Sequence, residues 1–416
     1  MPGFRSTVRI VGYGMTPLGK LRQPASVLMQ SALEKALASS GLQLKDLDGL
    51  IAVPSLSHPH FMEAHFLATK VGLLPQKNVT VRTLDTGGAG PVTGLLEAAR
   101  MVRTERCHAV AVVAGDAVAS MDTRSFLERA DAGCRDPVAP LPSPCIPHGY
   151  DRVAQWQLEM GSVTREQLAM VPVLMSRQAL RHPLALTRVP LSLDEVLAAE
   201  SIAPRTGRLE CARRADGGAC VIVADSEFVD RRLGHDARSS RDGIASPSLG
   251  PAARGGGVVL LGGGEASGPL YPPPVIDEAM FSCEQAAASA FSEAQLLPQD
   301  IDLFGLYDCF PICFVRALEA CGVAPRGGGG AWVEEMHERT SSTYAPADFP
   351  INTHGGLLAF GAPWEVPAMY NIIEACAQLN GMAGARQVPG ARRALVYGNG
   401  GIFSHSAVAI LAKPVD

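Results

Sequence analysis

The sequence predicts an α/β protein whose mostly parallel sheet is covered by helices on both faces. Short apolar runs alternate with amphipathic segments in the first part of the chain, as in linked βαβ units. Glycine-rich turns stand where two predicted strands pass into helices, at residues 87–90 and 355–356. The second half of the chain repeats the order of the first, which indicates a duplicated core.

Each element of the first half is predicted from its own pattern. Apolar runs bounded by glycine, proline or polar residues predict strands at residues 8–14, 48–54, 79–84, 109–114 and 217–224. Apolar residues at helical spacing predict helices at residues 25–40, 60–71 and 92–104. Two further helices, at residues 152–160 and 165–181, fall in a stretch that lacks the strand–helix rhythm.

The second half is predicted from the same patterns. Helices are expected at residues 276–296, 309–321 and 364–379, and strands at residues 303–306, 394–396 and 407–411. The chain therefore divides into an N-terminal half, residues 1–228, and a C-terminal half, residues 271–416. Residues 119–215 are interpreted as an insertion that lies over the sheet as a lid. Residues 229–270, rich in glycine, serine and arginine, are interpreted as a linker or surface loop, with a short strand in the run VVLLG.

Composition narrows the classes of function. The 416 residues are 47% hydrophobic and 19% charged with a net charge of −5, as in a globular protein without a nucleic-acid footprint. No apolar run approaches the ~18 residues that span a bilayer. The ten cysteines are scattered and include no CxxC pair, so we expect a reduced, cytoplasmic protein without a metal on this chain.

Five segments carry a family resemblance when they are taken in order. They are DTGGAGPVTGLLEAAR, RRADGGACVIVA, LYDCFPICFVRALEACGV, INTHGGLLAFGAPWE and ALVYGNGGIFSHSAVAIL. Together they resemble the thiolase superfamily in its lipid-transfer, sterol-carrier-thiolase-like branch. This resemblance implies a five-layered αβαβα fold, a homodimer and a coenzyme A thioester (acyl-CoA) as substrate.

The catalytic set that the resemblance implies is missing from the matching positions. The nucleophilic cysteine corresponds to Gly88, and the histidine that activates it corresponds to Ala362. The late cysteine falls near Tyr397, and an Asn or His position corresponds to Tyr307. An acyl-enzyme requires a thiolate and a base to form it, and glycine supplies neither. Backbone N–H groups of the turn remain available to an oxyanion.

Some relatives with a tyrosine at the YDCF position and no nucleophile are side-chain aldolases, which the resemblance associates with a zinc-bearing OB-fold partner subunit. The resemblance therefore favours retro-aldol cleavage of a β-hydroxyacyl-CoA without a covalent intermediate. Two alternatives stay open. One is a non-catalytic thiolase-like subunit that binds acyl-CoA or scaffolds an active partner, and the other is a thiolase or acyltransferase with a displaced cysteine.

Candidate site residues follow from these motifs. Tyr307 is expected to transfer a proton, given a lowered pKa or a polar neighbour. Like Tyr307, His354 and Tyr397 are candidate catalytic residues. Backbone groups of Gly88, Ala89 and Gly356 are candidates for oxyanion contacts, and supporting roles are expected for Asn352, Asp308 and, from the lid, His148. Trp364 and Glu365 follow the missing histidine; the favoured interpretation is a helix-start aromatic and a first-turn carboxylate.

Overall fold

The computed structural model of the chain describes residues 8–105, 107–231 and 256–414. Its strands are β1 (Val8–Met15), β2 (Gly49–Ala52), β3 (Thr80–Thr83), β4 (Ala109–Ala117), β5 (Ser201–Ala203), β6 (Thr206–Gly207), β7 (Asp216–Asp225), β8 (Val258–Ser267), β9 (Leu303–Gly305), β10 (Arg393–Gly400) and β11 (His405–Ala412). Its α-helices are α1 (Ala25–Ser40), α2 (Glu63–Lys70), α3 (Gly90–Thr104), α4 (Thr123–Cys134), α5 (Cys145–Glu159), α6 (Arg165–Ala179), α7 (Leu193–Leu197), α8 (Cys283–Ala294), α9 (Pro311–Ala320), α10 (Gly329–Arg339) and α11 (Pro367–Leu379).

The two halves have the same strand order, so the duplicated core is confirmed. Strands run β3-β2-β4-β7-β1 in the first half and continue β8-β11-β10-β9 in the second. Ile351 is the counterpart of β3 in the second half, because it forms a parallel bridge with Phe304 of β9. In each half, the strand that opens the half pairs antiparallel with the last, and the last pairs antiparallel with the fourth. The halves meet where β1 pairs with β8.

The sheet is mixed, so the prediction of a mostly parallel sheet is wrong. Parallel pairs occur where helices cross between strands, as in β2 with β3 and β4 and in β9 with β10. The tight connection between β10 and β11 makes an antiparallel hairpin instead. Strand β7 follows the long insertion and also returns antiparallel to β4. A short connection forces antiparallel pairing, whereas a parallel partner needs a crossover.

Helices form three layers around the two halves of the sheet. Helices α1 and α2 cover the outer face of the first half, and α8 and α9 pack outside the second half. Helices α3 and α11 lie together between the halves and contact strands of both. This arrangement is the predicted αβαβα sandwich. Both central helices connect the third strand position to the fourth in their own half, so their N-termini lie at corresponding places.

The insertion at residues 119–215 is more helical than predicted. Helix α4 was not expected there; it begins with the Asp122 carboxylate accepting a hydrogen bond from the Ser125 amide. Helix α6 begins with a capping box of Thr164 and Gln167. Helix α10 was also missed, because the four glycines at 327–330 indicated a break rather than a helix start.

The predicted linker at 229–270 is only partly described, since residues 232–255 lie outside the described residues. Its last part is strand β8, so the second half of the sheet begins at Val258 instead of 271. The glycines of this strand were misinterpreted as linker residues. A Cβ on Gly264 would overlap the backbone oxygen of Ala286 and lie 2.8 Å from the Ala290 nitrogen, so glycine lets α8 approach the strand.

Over the described ranges, none of the helices combines the length and apolarity that spanning a bilayer requires. All ten cysteines are free thiols, and seven of them are buried. Five of the buried cysteines lie in strands or helices, Cys107 lies just before β4 and Cys321 directly follows α9, as expected for small hydrophobic residues.

A buried ion pair fixes the central helix α11. The Glu374 carboxylate accepts hydrogen bonds from Arg386 at 2.9 and 3.0 Å and from the Thr353 hydroxyl at 2.8 Å. Gln378 donates to the same carboxylate at 3.2 Å and to the Arg386 carbonyl at 2.7 Å. Burial opposes the charged form of Glu374, yet the pKa is lowered because Arg386 outweighs burial.

We predict that Arg386→Met lowers the free energy of unfolding by about 3–5 kcal/mol, because it leaves the Glu374 carboxylate buried without its cation. Urea denaturation measures this loss. The matched control is Arg339→Met, which breaks an exposed pair with Glu335 (side chains 52% and 62% exposed) and is expected to cost less than about 1 kcal/mol. Equal losses in the two variants would contradict a structural role for the buried pair.

Candidate active site

A cavity of about 1760 Å³ opens where the N-termini of the two central helices meet the insertion. This volume exceeds the range of about 300–1,000 Å³ for sites that hold drug-sized ligands, so an extended ligand fits. The turn at 85–88 supplies one wall, residues 307–310 and 362–365 supply a second, and residues 399–405 a third. Helices α4 and α5 and the segments at 187–191 and 208–214 form the roof.

Tyr307 and Gly88 occupy one space in this cavity. A Cβ on Gly88 would overlap the hydroxyl oxygen and Cζ of Tyr307, and it would lie 2.6 Å from the backbone oxygen of Asn399. The phenol therefore stands where a side chain at position 88 would begin. Tyrosine at 307 in this position requires glycine at 88, because any larger residue at 88 displaces the ring.

The turn before α3 leaves backbone donors toward the cavity. Gly87 has a φ of +60°, a left-handed conformation that turns the chain from β3 into a short 3₁₀ segment ahead of Gly90. No side chain caps this N-terminus, and the Thr86, Gly87 and Gly88 positions line the cavity. The first N–H groups of a helix lack intrahelical acceptors, so this end of the helix favours an anion.

The Tyr307 hydroxyl is a neutral proton donor, not an activated base. The residue is 5% exposed, and among the described residues no hydrogen-bond partner is found for its hydroxyl. Burial raises the pKa of Tyr307 well above its ordinary value, and Cys309, Cys313 and Glu365 raise it further. The expectation of a lowered pKa is therefore wrong. Desolvation dominates, because Tyr307 has no cation or donor to stabilise a phenolate.

Glu365 is the residue that the sequence interpretation passed over. It lines the cavity, and its Oε2 atom is buried without a hydrogen-bond partner. Burial raises the pKa of Glu365 to about 8, and Asp85 and Asp116 add to the rise. It precedes the start of α11, where the helix dipole favours a charged carboxylate. Burial outweighs that effect, and the result is a carboxyl group that titrates near neutral pH.

Asp308, Asn352 and Gly356 hold the site from behind. The Asp308 carboxylate accepts hydrogen bonds from the amides of Leu357 and Leu358, and burial raises its pKa to about 7 despite them. A Cβ on Gly356 would overlap this carboxylate. Asn352 both accepts from the Leu306 amide at 2.7 Å and donates to the Leu306 carbonyl at 2.8 Å. These contacts fix the segment that carries Tyr307.

Four other predicted residues do not line the cavity. His354 is 2% exposed and packs edge-on against Phe360; burial lowers its pKa to about 4. Tyr397 is buried between Asn399 and Ser406, to which its hydroxyl bonds at 3.3 and 3.4 Å. His148 donates its Nδ1 proton to the Pro144 carbonyl at 3.0 Å. Ala89 is fully buried behind Gly88. His354, Tyr397 and Ala89, for which direct contact was expected, therefore lie outside the cavity lining, and so does His148, for which a supporting role was expected.

Tyr150 and Asn399 were not predicted but border the cavity. The Tyr150 hydroxyl donates to the Gly401 carbonyl at 2.6 Å and accepts from Asn399 Nδ2 at 2.7 Å. The Tyr150 ring stacks on Phe310 with centroids 4.6 Å apart. These contacts hold the Asn399 carbonyl against Gly88. The motif SPCIPHGY contains Tyr150, yet its histidine was the residue selected from the sequence.

The cysteines in the cavity wall are the candidates for a displaced nucleophile. Cys134, Cys211 and Cys309 line the cavity. Burial raises the pKa of both Cys134 and Cys211 to about 12, which disfavours the thiolate that nucleophilic attack requires.

In the described part of the chain, Asp131, Cys134 and Cys145 bring their possible metal-ligand atoms within 4.8 Å of one another. Asp131 already accepts from the Cys145 amide at 2.8 Å.

Comparisons with known proteins agree with this architecture. Residues 276–413 match the family model described as thiolase C-terminal domain-like. The chain is 26% identical over 423 residues to an acetyl-CoA acetyltransferase of Methanothermobacter thermautotrophicus, covering 98% of this chain and 99% of that protein. It is 28% identical over 263 residues to sterol carrier protein 2 of Bos taurus, covering 62% of this chain but only 44% of that protein.

Among solved structures, the Ltp2-ChsH2(DUF35) aldolase is similar to this chain with a TM-score of 0.77 at 21% identity, covering 99% of this chain and 98% of that one. The fold is that of the thiolase superfamily, and the family model and the relatives that match this chain are thiolase-like. The similarity to sterol carrier protein 2 places the resemblance in the sterol-carrier-thiolase-like branch.

We predict that Gly88→Ala lowers the free energy of unfolding by about 1–3 kcal/mol, because the added methyl group collides with the Tyr307 ring. The cost should shrink when Tyr307→Ala is added but persist with Tyr307→Phe, since phenylalanine keeps Cζ. Urea denaturation of the single and double variants measures the coupling. Gly133→Ala, with nothing within 4 Å of its added carbon, is the control. Equal costs in all Tyr307 backgrounds would refute the steric exclusion.

Proposed function

We propose that this protein catalyses carbon–carbon bond cleavage or formation on an acyl-CoA thioester without a covalent acyl-enzyme, and that the leading reaction is retro-aldol cleavage of a β-hydroxyacyl-CoA. The observation that carries this proposal is the Tyr307 hydroxyl at the place of a side chain on Gly88. A proton donor replaces a nucleophile there. Together with Glu365 and the open turn before α3, it forms a set suited to proton transfer and charge stabilisation.

An acyl-CoA ligand is supported by the charge and size of the cavity. Four exposed arginines line its mouth, and none of them pairs with a carboxylate among the described residues: Arg129, Arg188, Arg208 and Arg213. Arg129, Arg188 and Arg213 donate to backbone carbonyls, which orient them without compensating their charge. A chain with a net charge of −5 thus gathers positive charge where the phosphates of coenzyme A would enter. One relative is named for acetyl-CoA chemistry, and a structural neighbour is named an aldolase.

In the proposed reaction, the Glu365 carboxylate takes the proton of the β-hydroxyl group. The bond between the α- and β-carbons breaks, the β-carbon becomes the carbonyl of the released aldehyde or ketone, and the electron pair forms the thioester enolate. N–H groups at the start of α3 stabilise the enolate oxygen. The Tyr307 phenol then protonates the α-carbon, and the proton held by Glu365 restores the phenol. Every proton that is taken is returned.

We also propose a homodimer and a zinc-bearing OB-fold partner subunit. The edge strand β3 is partly exposed, and an unpaired edge can accept a strand from a second copy. The aldolase neighbour is itself named as a two-component assembly that includes a DUF35 protein. Free cysteines throughout the chain fit the reducing conditions of a cytoplasmic location, which we include in the proposal.

We expect the chain, with its partner subunit where one is required, to release an aldehyde or ketone from a β-hydroxyacyl-CoA. Tyr307→Phe should lower kcat by about 100-fold or more, because it removes the proton donor. Chromatography of the acyl-CoA product and a carbonyl assay measure turnover. Tyr344→Phe is the matched control, since this tyrosine bonds Gln178 outside the cavity.

Two outcomes would contradict the proposed chemistry. Recovery of an acylated cysteine peptide after incubation with substrate would indicate a displaced nucleophile. Absence of turnover in the assembled complex, with unaltered acyl-CoA binding in Tyr307→Phe, would indicate a non-catalytic binding subunit.

We predict that kcat/KM rises with pH until the Glu365 pKa of about 8 is passed, because the base must be deprotonated. Glu365→Gln should remove this rise and leave a low, flat profile. Initial rates between pH 6 and 9.5 measure both profiles, at roughly constant ionic strength. A rise centred near 7 that survives Glu365→Gln would assign the titration to Asp308 instead, whose pKa is about 7.

A further inference from the structure

Arg214 differs from Arg316 and Arg386, the two buried arginines among the described residues. It lines the cavity, and its Nη1 atom is buried without a hydrogen-bond partner. By contrast, Arg316 pairs with Glu278 at 2.9 Å and Arg386 pairs with Glu374 at 2.9 Å. Among the described residues, no carboxylate pairs with Arg214. A buried guanidinium nitrogen without a hydrogen-bond acceptor is costly, so its place in a cavity wall indicates a ligand that supplies the acceptor.

The backbone holds Arg214 beside the proposed reaction centre. Arg214 forms a parallel bridge with Ala362, and the Ala362 amide donates to the Arg213 carbonyl at 2.7 Å. The Ala215 amide donates back to the Ala362 carbonyl at 3.2 Å. Ala362 is three residues before Glu365 on the same wall. The position of Arg214 relative to that wall is therefore fixed by the two backbone hydrogen bonds of this bridge.

Aromatic rings hold the Arg214 side chain in place. Its guanidinium carbon lies 4.5 Å from the centre of the Phe126 ring, and Phe126 packs edge-on against Trp364 with centroids 5.9 Å apart. This cation–π contact orients the planar group without neutralising its charge. A planar guanidinium fixed in this way matches a carboxylate, which it binds through two parallel hydrogen bonds.

Glu365 is not the counter-ion of Arg214. A paired carboxylate would have a lowered pKa, whereas that of Glu365 is raised by burial, Asp85 and Asp116, and Trp364 supplies the lowering contact. The cavity wall thus presents a free cation and a separate base. The four exposed arginines at the mouth are better placed to bind the phosphates of coenzyme A. Arg214 is only partly exposed and packs against the wall of the reaction centre.

We propose that Arg214 binds a carboxylate on the acyl group, so that the substrate is the CoA thioester of a dicarboxylic acid. This inference rests on the proposed function for the placement of the thioester at Gly88. It adds a class of acyl group, in which one carboxyl end is the thioester and the other is a free anion. The Arg214 guanidinium binds an anion, and an acyl-CoA of this class carries two kinds of anion: the acyl carboxylate and the phosphates of coenzyme A.

Calorimetric binding tests this proposal without requiring turnover. The probes are a neutral acyl-CoA, the ω-carboxyacyl-CoA of equal chain length, and the ω-carboxyacyl thioester of pantetheine, which lacks the phosphates. We expect the wild-type protein to bind the carboxylated CoA thioester roughly 10- to 100-fold more tightly than the neutral one. Arg214→Gln should abolish this preference and leave the neutral affinity within about twofold. Arg124→Gln, on the exposed face of α4, should preserve the preference.

Three results would overturn the proposal. Equal affinities of the wild-type protein for the two CoA thioesters would exclude an acyl carboxylate. A similar loss for both thioesters in Arg214→Gln, with no effect on the pantetheine thioester, would assign Arg214 to a phosphate. Loss of the preference in Arg124→Gln would show that the preference for the carboxylated thioester is not specific to Arg214. If Arg214→Gln fails to fold, Arg214→Lys should weaken the preference at least several-fold, because lysine keeps the charge but not the paired donors.

These readouts separate the inference from the proposed reaction. Carboxylate preference without retro-aldol turnover would leave the substrate class standing and refute the chemistry. Turnover without that preference would refute only the role of Arg214.

Discussion

The site depends on the mutual exclusion of two residues. Tyr307 fills the volume that a side chain on Gly88 would need, and the Asn399 carbonyl closes the remaining side. Tyr150 holds Asn399, and Asp308 with Asn352 holds the segment on which Tyr307 is carried. The surrounding polar contacts therefore serve to keep one hydroxyl group in one place. Proton transfer is sensitive to such placement, because donor and acceptor must approach within hydrogen-bond distance.

The duplicated fold explains why the reactive groups converge. Each half contributes one central helix, and the N-termini of α3 and α11 reach the same cavity. Gly88 precedes one of these helices and Glu365 precedes the other. The halves are therefore not equivalent in chemistry: the first offers free backbone donors, and the second offers a buried carboxyl group. Their dipoles favour negative charge at both places, while burial keeps the carboxyl group protonated to an unusually high pH.

Sequence patterns predicted the periodic parts of the fold and missed features that depend on close approach. Outside the insertion, the strands and helices of the first half were predicted to within a few residues of their ends, and the resemblance gave the layered architecture. The Gly262–Gly264 stretch suggested a linker because sequence does not reveal that a helix passes within contact distance of it. Likewise, His354 was selected for its residue type, but its location behind the turn depends on packing that no local pattern encodes.

The same limit applied to the acid–base residues. Glu365 was visible beside the missing histidine, and helix-start statistics favoured a structural role for it. Only burial, which raises its pKa, distinguishes it from a first-turn carboxylate. Tyr307 lines the cavity and its catalytic role stays a prediction, but the direction of its pKa shift is set by burial and by Cys309, Cys313 and Glu365. Electrostatic environment is a property of the folded chain, and spacing along the sequence does not determine it.

The exclusion between Gly88 and Tyr307 also restricts how such a protein can change over evolutionary time. A codon change that introduces cysteine at 88 meets an occupied space, and loss of the tyrosine alone leaves a void beside an open turn. A nucleophilic side chain at position 88 therefore requires coordinated changes at both positions, and neither substitution alone makes room for it without cost.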